Sequence, residues 1–249
     1  MKTNNKLRRR YQGWRILDHF LGKDLPATRY MSHRNRALQV FLSKKEKAVI
    51  ENKIQQVDRI VDISEKDLKQ NYINRGIPVV MEGKAKNWKC VKEWSLDWLS
   101  ENYSKDEVAI FDPLNAENDS IDYSVEKTTL KDVIESIKLG DTNKYSRFNR
   151  ILYDHPELID DFDWKWLYNM RNKISSGKTF QVFIGGKGSK TSLHCATENN
   201  LFTQVFGKKH WYLYPPKNDF FLNPPITKSP YFYSNFNPEK PDFEKFPAA

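Results

Sequence analysis

The segment that decides the fold runs from Thr191 to Pro216 and reads TSLHCATENNLFTQVFGKKHWYLYPP. Two runs within it, LFTQVFG (201–207) and HWYLYPP (210–216), are rich in aromatic and aliphatic residues and are divided by a short glycine-containing turn. Short apolar runs on either side of such a turn are typical of neighbouring β-strands. The segment therefore predicts a pair of strands around His194, followed by Lys209, and we expect the imidazole and the ammonium to face a common cavity inside a rolled sheet.

Helix and strand patterns alternate in the residues that precede this segment. Ser64, Ser95 and either Thr128 or Thr129 stand directly before helical patterns, as N-cap residues do. A short aromatic helix or turn is predicted at 163–170. Strands are predicted at four short apolar runs, IPVVMEG (77–83), EVAIFDP (107–113), KYSRFNRILY (144–153) and FQVFIGG (180–186). This order predicts an α+β protein whose C-terminal half is an antiparallel sheet or barrel.

The N-terminal residues differ from the rest in their high charge. Residues 1–63 predict a basic segment that is helical or extended, with residues 1–40 forming an arm that packs on the main body or on a partner. Apolar residues recur at helical intervals in KKEKAVIENKIQQVDRIVDI (44–63), which predicts one amphipathic helix there. The regular domain is expected to occupy residues 64–249.

Composition argues against several classes of protein. The chain has 249 residues, of which 14% are aromatic, whereas disordered chains are poor in aromatic residues. The sequence shows no apolar run long enough to span a bilayer, and no apolar stretch of a secretory signal follows its basic start. Its 2 cysteines, Cys90 and Cys195, are far apart and predict no disulfide scaffold, so a cytoplasmic location is expected.

The formal net charge of +9 predicts a surface that attracts anions. Lysines occur along the whole chain, and Arg8, Arg9 and Arg10 form the one tight basic run. No RNA- or DNA-binding sequence motif accompanies this charge, so the sequence alone predicts no dedicated nucleic-acid site.

The histidine of the opening segment, His194, stands in a pattern that corresponds to half of a metal site. A non-haem iron site holds Fe(II) with two histidines and one carboxylate. Residues i and i+2 of a strand point to the same side, so a His-x-Asp or His-x-Glu pair presents two ligands together. Here the triplet is His194-Cys195-Ala196, and a methyl group stands where the carboxylate is expected.

The residues around His194 occur in the order that a known family shows. Members of the JmjC and cupin-like (FIH-type) family of 2-oxoglutarate oxygenases carry Thr-x-x-His-x-Asp, then Asn-Leu-Phe, then Gly-x-Lys ahead of a strand that ends in Pro-Pro. This chain has Thr191, His194, Asn200-Leu201-Phe202, Gly207-Lys208-Lys209 and Pro215-Pro216 in that order. GIPVVMEGKAKNW (76–88) and WSLDWLSENY (94–103) also resemble the family's N-terminal strand, tryptophan and helix.

The resemblance implies a fold, cofactors and a function. The fold is a double-stranded β-helix (cupin or jelly-roll) core behind a helical N-terminal segment. The cofactors are Fe(II) and 2-oxoglutarate, and the reaction is hydroxylation or demethylation of a protein or peptide substrate. By position, His194 resembles the proximal iron ligand, and Lys209 resembles the lysine that binds the far carboxylate of 2-oxoglutarate. Thr191 and Asn200 resemble the polar supports of 2-oxoglutarate, and Phe202 would line the pocket.

Two departures from the family pattern leave the function open. Ala196 replaces the carboxylate, and the family's distal histidine has no counterpart, because His210 is the only histidine after His194. The domain is thus expected to be incomplete and to lack its final strands. Glu198 would be a replacement carboxylate, or chloride would fill the gap as in related halogenases. The sequence is equally compatible with a catalytically inactive module that binds a peptide or protein, and with a shortened chain that needs another chain to complete its barrel.

Overall fold

The structure is a computed structural model that describes residues 5–21, 28–43, 55–111, 125–141, 144–171, 180–196, 199–216, 222, 233–242 and 246. Two helices, α1 (Asn5–Leu21) and α2 (Thr28–Ser43), pack against each other in the basic N-terminal segment. Tyr11 of α1 is fully buried, and Ala37 and Leu38 of α2 are nearly so. None of the helices described is both long and apolar enough to cross a bilayer.

The helix predicted over 44–63 is wrong at its C-terminal end. Strand β1 (Asp58–Ile60) pairs in parallel with β2 (Val79–Met81), and residues 44–54 lie outside the described residues. The guanidinium of Arg59 also contacts the Glu82 carboxylate just beyond β2, at 2.5 Å. Pairing with a neighbouring strand provides hydrogen-bond partners for the backbone N–H and C=O groups of β1. This tertiary interaction outweighs the helical preference that the spacing of apolar residues indicates.

The predicted helix starts are confirmed by their capping hydrogen bonds. Helix α3 (Glu65–Asp67) continues as a π-helical turn over Leu68–Ile73, α4 spans Lys89–Glu93, α5 spans Leu96–Tyr103 and α6 spans Leu130–Lys138. The side-chain oxygens of Ser64, Ser95 and Thr129 each accept a backbone N–H three residues later. Gly140 follows α6 with a φ of 80°, a left-handed conformation that glycine adopts without strain.

Four strands form an antiparallel sheet in the order β4-β3-β5-β6. They are β3 (Glu107–Phe111), β4 (Val125–Thr129), β5 (Ser146–Asn149) and β6 (Val182–Ile184). The strand predicted at 107–113 is confirmed over 107–111, with 112–113 outside the described residues, and the strand predicted at 180–186 is confirmed in its central residues. The strand predicted over 144–153 is half right, because the chain turns after Asn149 into helix α7 (Ile151–Asp154). The Asn149 side chain accepts the backbone N–H of Ile151 at 2.9 Å and so favours the helical turn.

The main core lies between this sheet and the helices. A 3₁₀ helix (Pro156–Asp161) and α8 (Trp164–Met170) follow α7 and contribute Leu158, Trp166 and Met170 to it. The carboxylate of Asp161 is also buried, where it accepts hydrogen bonds from Lys89 Nζ at 3.0 Å and Trp94 Nε1 at 2.8 Å. Trp88, Trp94 and Trp166 are also buried in this core.

The strands predicted at 201–207 and 210–216 are wrong for the structure described, in which 199–216 has no regular element. An apolar run becomes a strand only when a neighbour pairs with its backbone groups, and no such pairing involves this stretch within the described residues. Phe206, Trp211 and Leu213 are therefore 67%, 48% and 50% exposed. The architecture described is a mixture of helices and short strands.

The C-terminal residues form a second, smaller apolar cluster. Leu222, Phe236 and Phe246 are buried together, with Leu193 and Tyr214 packed against them. The backbone N–H of Ser234 donates to the carbonyl of Leu193 at 2.8 Å and fixes this cluster beside the predicted histidine. Burial raises the pKa of the Tyr214 hydroxyl above its ordinary value.

Candidate functional site

Lys209 is surrounded by aromatic rings from three parts of the chain. Its Nζ lies 5.0 Å from the ring centroid of Phe202, 5.3 Å from Trp211, 5.6 Å from Phe183 and 6.0 Å from Tyr145. An ammonium within about 6 Å of a ring centroid is attracted by the negative face of the ring. The aromatic side chains thus hold the positive charge of Lys209 at one place in the fold.

Tyr145 links Lys209 to Thr191. Lys209 Nζ donates a hydrogen bond to the Tyr145 hydroxyl at 3.4 Å, and the same hydroxyl lies 3.4 Å from Thr191 Oγ1. Tyr145 directly precedes β5 and is only 5% exposed, so the sheet and the core fix its ring. The ammonium of Lys209 and the hydroxyl groups of Tyr145 and Thr191 therefore converge at the N-terminal end of β5.

A close approach to Gly185 sets the position of the Tyr145 ring. A Cβ atom at residue 185 would lie 2.6 Å from Cδ2 of Tyr145 and 2.8 Å from Oγ of Ser189. Only a residue without a side chain leaves room for both groups. The Ser189 Oγ is buried and has no hydrogen-bond partner within the described part of the chain. A third hydroxyl thus lies beside the same ring.

The electrostatic environment of Tyr145 is positive. The guanidinium carbon of the buried Arg147 lies 5.8 Å from the Tyr145 ring centroid, on a strand that continues directly from this residue. The contacts of Lys209 are with a hydroxyl and with rings, and among the described residues they include no carboxylate. Lys209 and Arg147 thus place two cations near the Tyr145 ring, and positive charges beside hydroxyl groups favour a bound anion.

His194 has contacts of a different kind. Its Nδ1 lies 2.8 Å from the backbone carbonyl oxygen of Ser192, and its ring centroid is 5.4 Å from that of Tyr233. A carbonyl oxygen only accepts, so Nδ1 carries the hydrogen and the lone pair of the neutral ring is on Nε2. The described contacts of His194 do not involve the residues around Lys209, and a common cavity for the two side chains stays a prediction.

The described residues do not fit an iron centre. Fe(II) needs several nitrogen and oxygen ligands at one place, and one imidazole is not enough. Ala196 offers no donor atom, and within the described residues no group of three or more His, Cys, Asp or Glu side chains could hold a metal ion. Glu198, the proposed replacement carboxylate, lies outside the described residues.

The structure brings together three of the five residues that the sequence indicates as site residues. Lys209 contacts both Phe202 and Tyr145, and Tyr145 contacts Thr191, whereas Asn200 is exposed. Sequence reasoning missed Tyr145, because it belongs to none of the motifs and its position in the predicted strand at 144–153 was the only available signal. Roles in ligand binding are proposals for all of these residues.

Comparisons with known proteins identify the family. The profile of the cupin-like domain matches residues 65–249, which is most of the chain. HSPB1-associated protein 1 of Homo sapiens is 33% identical over 109 residues, which are 41% of this chain and 21% of that protein. JmjC domain-containing protein E of Dictyostelium discoideum is 27% identical over 192 residues, which are 66% of this chain and 53% of that protein. Lysine-specific demethylase 8 of Xenopus tropicalis is 23% identical over 181 residues, which are 72% of this chain and 40% of that protein.

The extent of these matches is sufficient to assign the family but not the function. The chain spans about half or less of the length of these curated relatives, so their whole activities and partners are not transferred with the match. The domain profile, in contrast, covers well over half of this chain. The chain therefore belongs to the cupin-like domain family and is related to JmjC domain proteins and lysine-specific demethylases.

Proposed function

We propose that this chain is a cupin-like module that binds a dicarboxylate of the 2-oxoglutarate type at Lys209, Tyr145 and Thr191. The observation that carries the proposal is the convergence of three donors, with Lys209 Nζ and Thr191 Oγ1 each 3.4 Å from the Tyr145 hydroxyl. Contacts of this length are at the long end of hydrogen bonding. A carboxylate oxygen that approaches these groups therefore gains shorter and stronger charge-assisted bonds.

Lys209 is the main determinant of affinity in this proposal. Its ammonium is held by rings rather than by a carboxylate within the described residues, so a bound anion becomes its ion-pair partner. A hydrogen bond to a charged group contributes about 1.5–3 kcal/mol. Loss of the Lys209 ammonium is therefore expected to weaken dicarboxylate binding by about 10- to 150-fold.

In this proposal the module occupies residues 64–249, which form a double-stranded β-helix core of the family type. Residues 1–63 form a separate segment that precedes this core. A protein or peptide is the proposed partner. This part rests on the relatives, one of which is named for association with HSPB1 and another as a lysine-specific demethylase.

The second candidate is an Fe(II)- and 2-oxoglutarate-dependent hydroxylase or demethylase. His194 favours it, because the ring donates from Nδ1 to a backbone carbonyl and keeps its lone pair on Nε2, as metal-binding histidines do. This candidate requires further ligands from Glu198, from other residues outside those described or from another chain. We rank it second because Ala196 provides no ligand.

Isothermal titration calorimetry of the full chain in EDTA tests the proposal. The binding module predicts that 2-oxoglutarate and glutarate, which lacks the keto oxygen, bind with similar affinity, because both present the same distal carboxylate. The oxygenase predicts that anaerobic Fe(II) in place of EDTA strengthens binding of 2-oxoglutarate and not of glutarate. The two candidates therefore differ in the effect of the metal on two matched ligands.

Two lysine variants supply the control. Lys209→Met removes the ammonium and keeps most of the side-chain volume, whereas Lys208→Met makes the same change at the exposed neighbouring residue. We expect the large loss of affinity in the first variant and less than a twofold change in the second. The proposal is wrong if neither dicarboxylate binds in EDTA, or if the two variants lose affinity equally.

A further inference from the structure

The net positive charge of the chain is confined to its N-terminal part. Residues 1–64 contain 15 Lys and Arg and 6 Asp and Glu, whereas residues 65–249 contain 26 of each. The lysines that occur along the whole chain are thus balanced by acidic residues within the cupin-like domain. The full charge of +9 lies in the segment that precedes the family match.

Most of this charge is on helices α1 and α2. Together they carry seven Arg, one Lys and a single acidic residue, Asp18. Lys6, Arg9 and Arg10 are exposed and follow the i, i+3, i+4 spacing, so they form one stripe on α1. Arg36 is exposed on α2. The packed helices thus present a basic surface.

The chemistry of this surface favours phosphodiesters. Arginine predominates over lysine, and its planar guanidinium matches two phosphate oxygens at once. The rings of Trp14 and His33 are stacked, with centroids 4.6 Å apart and planes at 15°, and this pair joins the two helices. Flat aromatic groups beside a basic stripe are the combination on which bases and phosphates of nucleic acids bind.

An anionic membrane fits the same helices less well. A helix that lies in a membrane surface buries a broad apolar face among the acyl chains. Here Tyr11 of α1 is fully buried in the protein, and the large apolar side chains exposed on the described part of α1 are Ile16 and Leu17. On the described part of α1, the exposed apolar surface is therefore limited to two adjacent side chains and is not a broad face.

We propose that α1 and α2 form a nucleic-acid-binding surface, in which Lys6, Arg9, Arg10 and Arg36 contact the phosphate backbone. This function is independent of the dicarboxylate site. The proposed contacts are with the backbone, so binding depends on salt and only weakly on base sequence. Single-stranded RNA and duplex DNA share this chemistry, and the experiment compares them.

Fluorescence anisotropy of the full chain with labelled 20-nucleotide RNA and 20-base-pair DNA, at several KCl concentrations, tests the proposal. The matched variants are Arg9→Glu/Arg10→Glu on α1 and Lys92→Glu/Lys105→Glu in the cupin-like domain, all at exposed residues. Both double variants change the net charge by the same amount. Circular dichroism spectra and melting temperatures check that each variant is folded.

We expect the arginine variant to bind at least one of the two nucleic acids about tenfold more weakly at 100 mM KCl, with a salt slope smaller by about two. The lysine variant is expected to stay within twofold of the wild type. Equal losses in both variants would overturn the proposal, because they would show a general charge effect. Absence of binding to both nucleic acids, or stronger binding to vesicles of phosphatidylcholine and phosphatidylserine, would also overturn it.

Discussion

Replacement of Gly185 by alanine tests how the candidate site is built. The new Cβ would lie 2.6 Å from Cδ2 of Tyr145, 2.8 Å from Oγ of Ser189 and 3.0 Å from Cβ of Ser189. Carbon atoms in contact are about 3.5–4.0 Å apart, so the Tyr145 ring has to move by about 1 Å. Tyr145 is 5% exposed, and the surrounding core resists that movement.

The Gly185→Ala variant is expected to lose both thermal stability and affinity for the ligand. Overpacking of a well-packed core costs about 1–3 kcal/mol, which lowers the melting temperature of a chain of this size by about 2–12 °C. Displacement of the Tyr145 hydroxyl also weakens one hydrogen bond to the charged dicarboxylate, and the lower end of the range for such bonds is about 1.5 kcal/mol. We therefore expect the affinity for glutarate to fall about tenfold.

The assays are thermal unfolding by circular dichroism and calorimetric titration with glutarate in EDTA. Gly13→Ala is the matched control, because a Cβ at that residue of α1 would meet nothing within 4 Å apart from its chain neighbours and the backbone of its own helix. A helical alanine in place of glycine is expected to stabilise the chain by about 0.5–1 kcal/mol and to leave glutarate binding unchanged. If Gly185→Ala behaves like Gly13→Ala in both assays, Tyr145 does not pack on Gly185 and the account of the site fails.

Three further predictions concern single side chains. Tyr145→Phe keeps the ring and removes the hydroxyl that bonds the charged ligand, so glutarate affinity in calorimetry should fall about tenfold or more while stability changes little; unchanged affinity would contradict the proposed role. Iodoacetamide at pH 8 should label the exposed Cys195 and spare Cys90, whose pKa burial raises to about 11; rapid double labelling of the folded chain in mass spectra would contradict this. Hydrogen bonds from Thr129, and then from Thr128, lower the pKa of Asp132, so its contribution to stability is present above the unfolded value near 3.8 and is lost as pH falls through the lower folded value. Urea unfolding should show Asp132→Asn less stable than the wild type at pH 7, with the difference shrinking in acid; a constant difference would contradict the linkage.

Helix starts were predictable from the sequence because the interactions that create them are local. Ser64, Ser95 and Thr129 each bond a backbone N–H only three residues away, so residue type and spacing contain the necessary information. The Thr129 cap is reinforced by the Asp132 side chain, which accepts the Thr129 backbone N–H in return.

Strand pairing was less predictable because it depends on distant residues. Residues 58–60 follow a helical apolar spacing, yet they pair with β2, which lies 21 residues later in the register that joins Asp58 to Val79. The run at 201–207 has the composition of a strand and no described pairing. Local composition indicates what a segment is able to form, and the neighbour that it meets decides the outcome.

The candidate site shows the same division between local and distant information. Thr191 and Lys209 were indicated by their motif, but the residue that joins them, Tyr145, is 46 residues from Thr191 and 64 from Lys209. The requirement for glycine at residue 185 is equally invisible in the sequence, since it arises from contact with Tyr145 and Ser189. Only the folded chain brings these groups to one point.

A crystal structure of the chain grown with 2-oxoglutarate in the presence of EDTA tests the central claim most directly. The account predicts density for a carboxylate bonded to Lys209 Nζ, the Tyr145 hydroxyl and Thr191 Oγ1, without a metal ion. A ligand bound elsewhere, with Lys209 still among the rings of Phe202 and Trp211, would contradict it.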